Sequence, residues 1–230
     1  MKRQGEHEQT DNDLTRLYNR RFSGEELVDK QVLWTTLCRD FLERYIEPDA
    51  TVLDLGAGRC EFINTVRAKR RIAVDPNPAT VGLAAPDVEV LATLSTDMSV
   101  LLDGEVDVVF ASNFLEHVAD KDVLLQTLHE CHRVLRPGGR MIVLMPNIRY
   151  LPGRYWDYLD HHVPLTHVSL VEALELAAFE PEVVIPKFLP YTVKDSKLPV
   201  RAELIRLYLR MPLAWKLVGK QMFVVARRFP

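Results

Sequence analysis

The hydrophobic rhythm of this chain changes twice along its length. Between residues 24 and 46, Leu27, Val28, Val32, Leu33, Leu37, Phe41, Leu42 and Ile46 recur at helical spacing before Glu47-Pro48 closes the run. That spacing predicts one long helix with an apolar face. From residue 51 the pattern contracts into short runs rich in β-branched residues: TVLDL (51–55), RIAVD (71–75), VEVLA (88–92), VDVVFAS (106–112) and RMIVLMP (140–146). Apolar runs of this length without polar alternation suit strands buried on both faces, the condition of a parallel sheet. Helical stretches separate them. Residues 122–135 place Val123, Leu124, Thr127, Leu128, Cys131 and Leu135 on one face and end at Arg136-Pro137-Gly138-Gly139, a stop built from residues that cannot continue a helix. A shorter helix is predicted over 61–69. After Pro146 the rhythm loosens. Residues 148–168 combine aromatics, histidines and turn formers and predict an ordered loop or lid. A helix (169–179), a strand (182–186), an insert (187–220) and a final strand (221–229) follow. Strand alternating with helix implies right-handed crossovers and a doubly wound α/β sheet.

Residues 1–13 are polar and aperiodic, and read as a flexible tail before a single domain over 14–230. The length of 230 residues suits one sizeable core. A net charge of -3 gives no basic footprint for nucleic acid. No apolar run reaches the roughly 20 residues needed to span a bilayer, and MKRQGEHEQTDND has no signal-peptide character. Cys38, Cys60 and Cys131 are scattered and odd in number. That pattern argues against a disulfide framework and points to the cytoplasm.

The chemistry concentrates at strand ends. VLDLGAGRC (52–60) carries an aspartate through an apolar run into a glycine turn, where Gly56 and Gly58 allow positive φ or close approach to a ligand. Asp54, Asp75, Asp97 and Glu116 each stand at or just beyond the end of a strand, and in a doubly wound sheet those ends share one rim. Such an acidic rim repels a pyrophosphate and suits a cationic, ribose-bearing cofactor. A nicotinamide dehydrogenase is the competing reading, but its GxGxxG pattern fails here because Glu61 stands three residues after Gly58.

Four stretches in order carry a resemblance. VLDLGAGRCEF, IAVDPNP, VDVVFASNFLEHV and LRPGGRMIVLMPN resemble the motifs of class I S-adenosylmethionine-dependent methyltransferases over roughly residues 50–147. The resemblance implies a seven-stranded, mostly parallel sheet with the last strand antiparallel, and S-adenosylmethionine as cofactor. It implies that Asp54 anchors the loop near the cofactor's amino group, with Gly56 and Gly58 beneath the methionine portion and Asn113 lining it. Asp75 would accept the ribose hydroxyls, Pro76 and Asn77 would flank the adenine, Asp97 would face its amino group, and Met98 would pack on the ring. His117 would support the cofactor loop. Cys60 stands where the family often has a third glycine.

Methyl transfer asks the protein to align acceptor and methyl group, exclude water and sometimes remove a proton. The acceptor pocket is expected in the 148–168 segment, with Tyr155, Trp156 and Tyr158 as walls and His161, then His162 and His167, as the base. Asp160-His161-His162 invites a metal reading, but adjacent histidines do not by themselves point to one centre, and no metal is expected. The expected reaction is O-methylation of a small molecule or saccharide by a monomer or homodimer. The alternative is an inactive cofactor-binding partner protein. Within 198–220, Arg201, Arg206, Arg210, Lys216 and Lys220 interleave with apolar residues. This basic amphipathic stretch suits either peripheral contact with a membrane surface or a helix covering the sheet edge.

Overall fold

The computed structural model describes residues 24–191 and 200–229; the tail expected at 1–13 lies outside them. Seven strands form one sheet: β1 (Thr51–Leu55), β2 (Arg70–Val74), β3 (Val88–Leu91), β4 (Val106–Ser112), β5 (Leu135–Pro146), β6 (Phe179–Ile185) and β7 (Gln221–Arg228). Their order is β3-β2-β1-β4-β5-β7-β6. The first five pair in parallel, and β7 lies antiparallel between β5 and β6. The helices are α1 (Gly24–Asp40), α2 (Lys121–Val134), α3 (His167–Leu176), α4 (Ala202–Leu209) and α5 (Pro212–Val218). The mostly parallel, doubly wound sheet with its antiparallel last strand is thus as expected.

Alternation along each strand builds two cores. Leu53, Leu55, Val109, Ala111, Met141, Val143 and Val224 pack with Leu124 and Leu128 of α2 and with Leu170 and Leu174 of α3. Their neighbours Val52, Val108, Phe110, Ile142, Leu144 and Phe223 pack on the other face with Leu37 of α1, Phe41, Phe188 and Leu209. Both faces of the sheet are covered, which is why its strands read as continuous apolar runs.

Several expected elements change at their ends, each for a local reason. The helix expected over 61–69 is a run of turns. The Thr65 hydroxyl donates to the Glu61 carbonyl at 2.7 Å, while its amide goes to Phe62 instead, a side-chain competition that breaks the helical ladder. The helix expected over 24–46 stops at Asp40 and resumes only as a short 3-10 turn, Leu42–Tyr45. Between them Phe41 leaves helical geometry (φ -137°) and its ring stacks on Phe188 at 4.4 Å. The Arg136–Gly139 stretch does end α2, but it is itself the start of β5. A Cβ on Gly139 would lie 2.9 Å from the Arg136 carbonyl and 3.0 Å from that of Asp107. The helix expected over 198–220 breaks at Met211 into α4 and α5, with Pro212 opening the second. α4 lies against α1 through an Arg206–Asp40 ion pair at 3.2 Å and the buried Leu209.

The chain leaves β1 toward β2 and β3, then returns to place β4 on the other side of β1. That reversal opens a crevice beyond the carboxyl ends of β1 and β4, the position where such sheets bind ligands.

Candidate functional site

A cavity of about 580 Å³ occupies the crevice, within the size range of ligand clefts. The turn after β1 contributes Asp54, Gly56, Ala57, Gly58, Arg59 and Glu61, and the exit of β4 contributes Ser112, Asn113, Glu116 and His117. α1 closes it with Asp29, Lys30, Leu33, Trp34 and Leu37, and Tyr158, His161, Leu189, Tyr191 and Gln221 complete the wall. Four carboxylates (Asp29, Asp54, Glu61, Glu116) face two fixed cations (Lys30, Arg59) across this lining. A cationic ligand would favour the ionised form of the two buried carboxyls, Asp54 and Glu116.

The glycine turn is held by its own hydrogen bonds. Gly56, Gly58 and Cys60 all adopt left-handed backbone, with φ of 69°, 49° and 61°. The Gly56 and Ala57 amides donate to Val74 at 2.8 and 3.2 Å, and the Cys60 amide to Ala57 at 2.7 Å. The Gly58 amide donates to Oδ2 of Asp75 at 2.7 Å, and Oδ1 of the same carboxylate accepts from the Asn77 amide at 2.8 Å. Asp75 therefore ties the two strand-end loops together, and desolvation raises its carboxyl despite both bonds. A Cβ on Gly56 would sit 2.3 Å from the Phe114 ring. Asp54 is 4% exposed, and burial, then the charges of Glu61 and Asp75, hold its carboxyl well above the usual range. These amides are already bonded and no regular helix follows them, so the turn lacks the cradle a pyrophosphate needs.

The other end of the cavity is built where β4 meets the 148–168 segment. The Glu116 carbonyl accepts the His162 and Val163 amides at 2.8 and 3.1 Å, which brings His161 beside the Glu116-His117 pair. His161 is 8% exposed, its Nδ1 lies 2.9 Å from the Tyr155 carbonyl, and its ring stacks with Tyr158 at 5.1 Å. The His117 ring crosses it edge-on at 4.9 Å, with Nδ1 2.9 Å from the Asp160 carbonyl. Glu116 is 1% exposed, and neither of its carboxylate oxygens has a hydrogen-bond partner among the described residues. Burial pushes its carboxyl up to about 8.

Of the residues singled out in the sequence, the cavity wall unites Asp54, Gly56, Gly58, Asn113, Glu116, His117, Tyr158 and His161. Asp75 and Asn77 stand just behind the turn through their hydrogen bonds, and Pro76 between them is exposed. The others lie elsewhere. Asp97 is exposed and its Oδ1 accepts from the Ser99 amide at 3.2 Å, while the Met98 side chain is fully buried in the sheet core. Tyr155 is buried behind His161, with its hydroxyl on the Val163 carbonyl at 2.6 Å, and Trp156 is 56% exposed. His162 is exposed, and His167 opens α3, with Nδ1 accepting from Asn147 at 3.0 Å. Burial, then Arg149, lowers the His167 pKa. Glu116 is read from the sequence only as one of four rim carboxylates; its place between the apolar Leu115 and Val118 was the available signal. Trp34 and Tyr191 carried none, because their places depend on how α1 and the insert fold back.

Comparison with known proteins fits this geometry. Residues 53–143 match the model of a family described as a methyltransferase domain. A Mycolicibacterium smegmatis protein named "Probable S-adenosylmethionine-dependent methyltransferase" is 37% identical over 139 residues, 57% of this chain and 52% of that protein. The chain thus spans about half the length of this curated relative. Among solved structures, an S-adenosylmethionine-dependent methyltransferase from Archaeoglobus fulgidus aligns with a TM-score of 0.65 at 21% identity, over 93% of this chain and 99% of that one. A geranyl diphosphate C-methyltransferase from Streptomyces coelicolor aligns with a TM-score of 0.60 at 18% identity, over 82% and 76% of the two chains. At such identities the structural likeness is one of fold. With the family match and the curated relative, it makes residues 53–143 similar to the methyltransferase domain of S-adenosylmethionine-dependent methyltransferases.

Proposed function

We propose that the protein is an O-methyltransferase of a small molecule or saccharide, with S-adenosylmethionine as methyl donor. The observation that carries this reading is that one cavity joins the glycine-turn residues to His161 and Tyr158. The residues present suit the cofactor: the lining has more carboxylates than cations, Asp54 is a buried carboxylate on the wall, and the turn has its amides already bonded. Asp54, Gly56, Gly58 and Asn113 would hold the methionine portion, and Asp75 with Asn77 the nucleoside. Bound there, the cofactor supplies a methyl group already activated by its sulfonium. The chain's own residues align the acceptor, exclude water beneath Trp34 and α1, and receive a proton. The Tyr155 carbonyl can only accept, so Nδ1 of His161 carries its hydrogen and Nε2 is the basic nitrogen. Nε2 of His161 is the atom that takes the acceptor hydroxyl's proton.

No helix among the described residues is long and apolar enough to cross a membrane. In α4 and α5, Leu207, Leu213 and Leu217 are 56%, 73% and 79% exposed, near the exposed Arg201, Arg210 and Lys216. This surface supports peripheral contact with anionic lipid and hence an acceptor held at a membrane. Co-sedimentation with phosphatidylglycerol vesicles but not phosphatidylcholine vesicles is expected; equal behaviour with both removes this part of the reading.

The main test is calorimetric titration with S-adenosylmethionine, S-adenosylhomocysteine and NAD, followed by a screen of hydroxylated acceptors. The first two are expected to bind, and NAD is not. Binding of NAD alone would overturn the reading, and cofactor binding without turnover on any acceptor would favour the inactive partner protein. His161→Ala should lower turnover by about 10²–10⁴-fold, the scale of general base catalysis, while cofactor affinity stays near that of the parent. Full turnover in that variant would take the proton away from His161.

A further inference from the structure

We propose that Glu116, His117 and His161 form a binding site for one divalent transition-metal ion at the acceptor end of the cavity. The inference deepens the reading of that end as the acceptor side and rests on it. One ligand atom from each of the three residues lies within 4.8 Å of the other two. Nitrogen and oxygen ligands sit about 2.0–2.2 Å from zinc, so two ligands of one ion lie up to roughly 4.2 Å apart, and a contraction of about half an ångström closes the set.

Three features point to an ion rather than to chance proximity. The first is the Glu116 carboxylate, 1% exposed, on the cavity wall and without a hydrogen-bond partner for either oxygen among the described residues. Burying such a group is costly unless a proton or a cation compensates it. The second is the pair of imidazoles. Each holds Nδ1 2.9 Å from a backbone carbonyl, His117 at Asp160 and His161 at Tyr155. A carbonyl only accepts, so both rings carry hydrogen on Nδ1 and a lone pair on Nε2. Metal-ligating histidines are oriented in this way, through the ring N–H that does not face the metal. The third is an outer carboxylate: Oδ2 of Asp160 lies 3.4 Å from Nδ1 of His117, where it raises the basicity of the ring.

Two imidazoles and one carboxylate suit zinc, cobalt, manganese or ferrous iron better than magnesium or calcium, which prefer oxygen ligands. Three protein ligands on a cavity wall leave coordination positions for acceptor oxygens. A cation there orients a hydroxyl and lowers its pKa, as it does for bound water. In the ion-loaded protein His161 is therefore a ligand, and direct proton removal by its Nε2 belongs to the metal-free protein.

The test is titration of chelator-treated full-length protein with Zn(II) by calorimetry and with Co(II) by visible absorption. One equivalent is expected to bind, with d–d bands for Co(II), and Glu116→Gln and His161→Gln are each expected to weaken binding by about 100-fold or more. Absence of saturable binding up to millimolar metal, or affinity unchanged in both variants, overturns the site. If a variant does not fold, the Co(II)-loaded parent decides: two exchangeable, strongly shifted imidazole N–H proton resonances are expected, and none would refute ligation by His117 and His161. S-adenosylmethionine titration of the same metal-free protein separates the two readings. Cofactor binding and turnover without metal binding would leave the methyltransferase standing and remove only the ion.

Discussion

The two ends of the cavity are built on opposite plans. Around the glycine turn, the amides of Gly56, Ala57, Gly58 and Cys60 bond within the turn or to the end of β2, and both oxygens of Asp75 are used. Across the cavity, Glu116 keeps two buried oxygens without hydrogen-bond partners among the described residues, beside two histidines. One end is a finished backbone surface, shaped by left-handed residues and steric contact. The other is electrostatically incomplete without a proton or a ligand. Substitutions at the first should act through geometry and stability, and those at the second through charge and proton transfer.

The sharpest way to break that contrast is at Gly56. A Cβ there meets the Phe114 ring at 2.3 Å, on a backbone with φ of 69°. Left-handed strain of about 1–2 kcal/mol adds to overpacking of about 1–3 kcal/mol. Gly56→Ala should therefore lose about 2–5 kcal/mol in urea denaturation and bind S-adenosylmethionine more weakly. Gly58 is the internal control. Its Cβ would come no closer than 3.9 Å to the Gly56 carbonyl, so Gly58→Ala should show the strain alone, about 1–2 kcal/mol. Equal losses at the two positions would mean that contact with Phe114 does not shape the turn.

A middle-sized effect is expected at Asp75, whose carboxylate joins the Gly58 and Asn77 amides. Asp75→Ala should weaken S-adenosylmethionine binding by about 1–3 kcal/mol, the worth of hydrogen bonds to a charged group. Asp75→Asn, which keeps one acceptor oxygen, should lose less. An unchanged affinity in calorimetry would make Asp75 a tether of the loops only.

The same contrast explains what was legible in the sequence. Apolar runs and the glycine turn are local signals, so the strands, the sheet class and the positions of Asp54, Gly56 and Gly58 could be read directly. The Glu116–His117–His161 cluster could not. It depends on the Glu116 carbonyl capturing the His162 and Val163 amides, a contact between distant segments that leaves no periodic trace. Local competition hid other features. Thr65 diverts its own helix through the Glu61 carbonyl. Met98, expected on the adenine, is fully buried with Leu101 and Val106 in the core, where a flexible apolar side chain fills space well. Among the candidates in the 148–168 neighbourhood, Tyr158 and His161 reach the wall and Tyr155, Trp156, His162 and His167 do not, because which residue of a segment without a sustained repeat turns inward is decided by tertiary hydrogen bonds.

The subtlest difference is one of slope, and it tests whether the finished end also stores charge. Burial, then Glu61 and Asp75, raises the Asp54 carboxyl well above its ordinary value. The folded protein therefore keeps this proton while the unfolded chain releases it as pH rises past the usual carboxylate range. The native state then binds more protons than the unfolded state, so stability falls with rising pH until the folded carboxyl itself ionises. An amide in place of the carboxyl cannot titrate. Asp54→Asn should match the parent most closely below the ordinary carboxylate range, where the folded and unfolded parent both keep the proton, and should gain relative to the parent as the pH is raised through and above it. Saturating S-adenosylmethionine should shrink that gain, because a cationic ligand against the wall favours the ionised carboxylate. Urea midpoints at about pH 5, 6.5 and 8, with and without cofactor, measure both effects. Parallel pH profiles for parent and variant would show that Asp54 ionises normally despite its burial, leaving Glu116 as the buried wall carboxyl that keeps its proton.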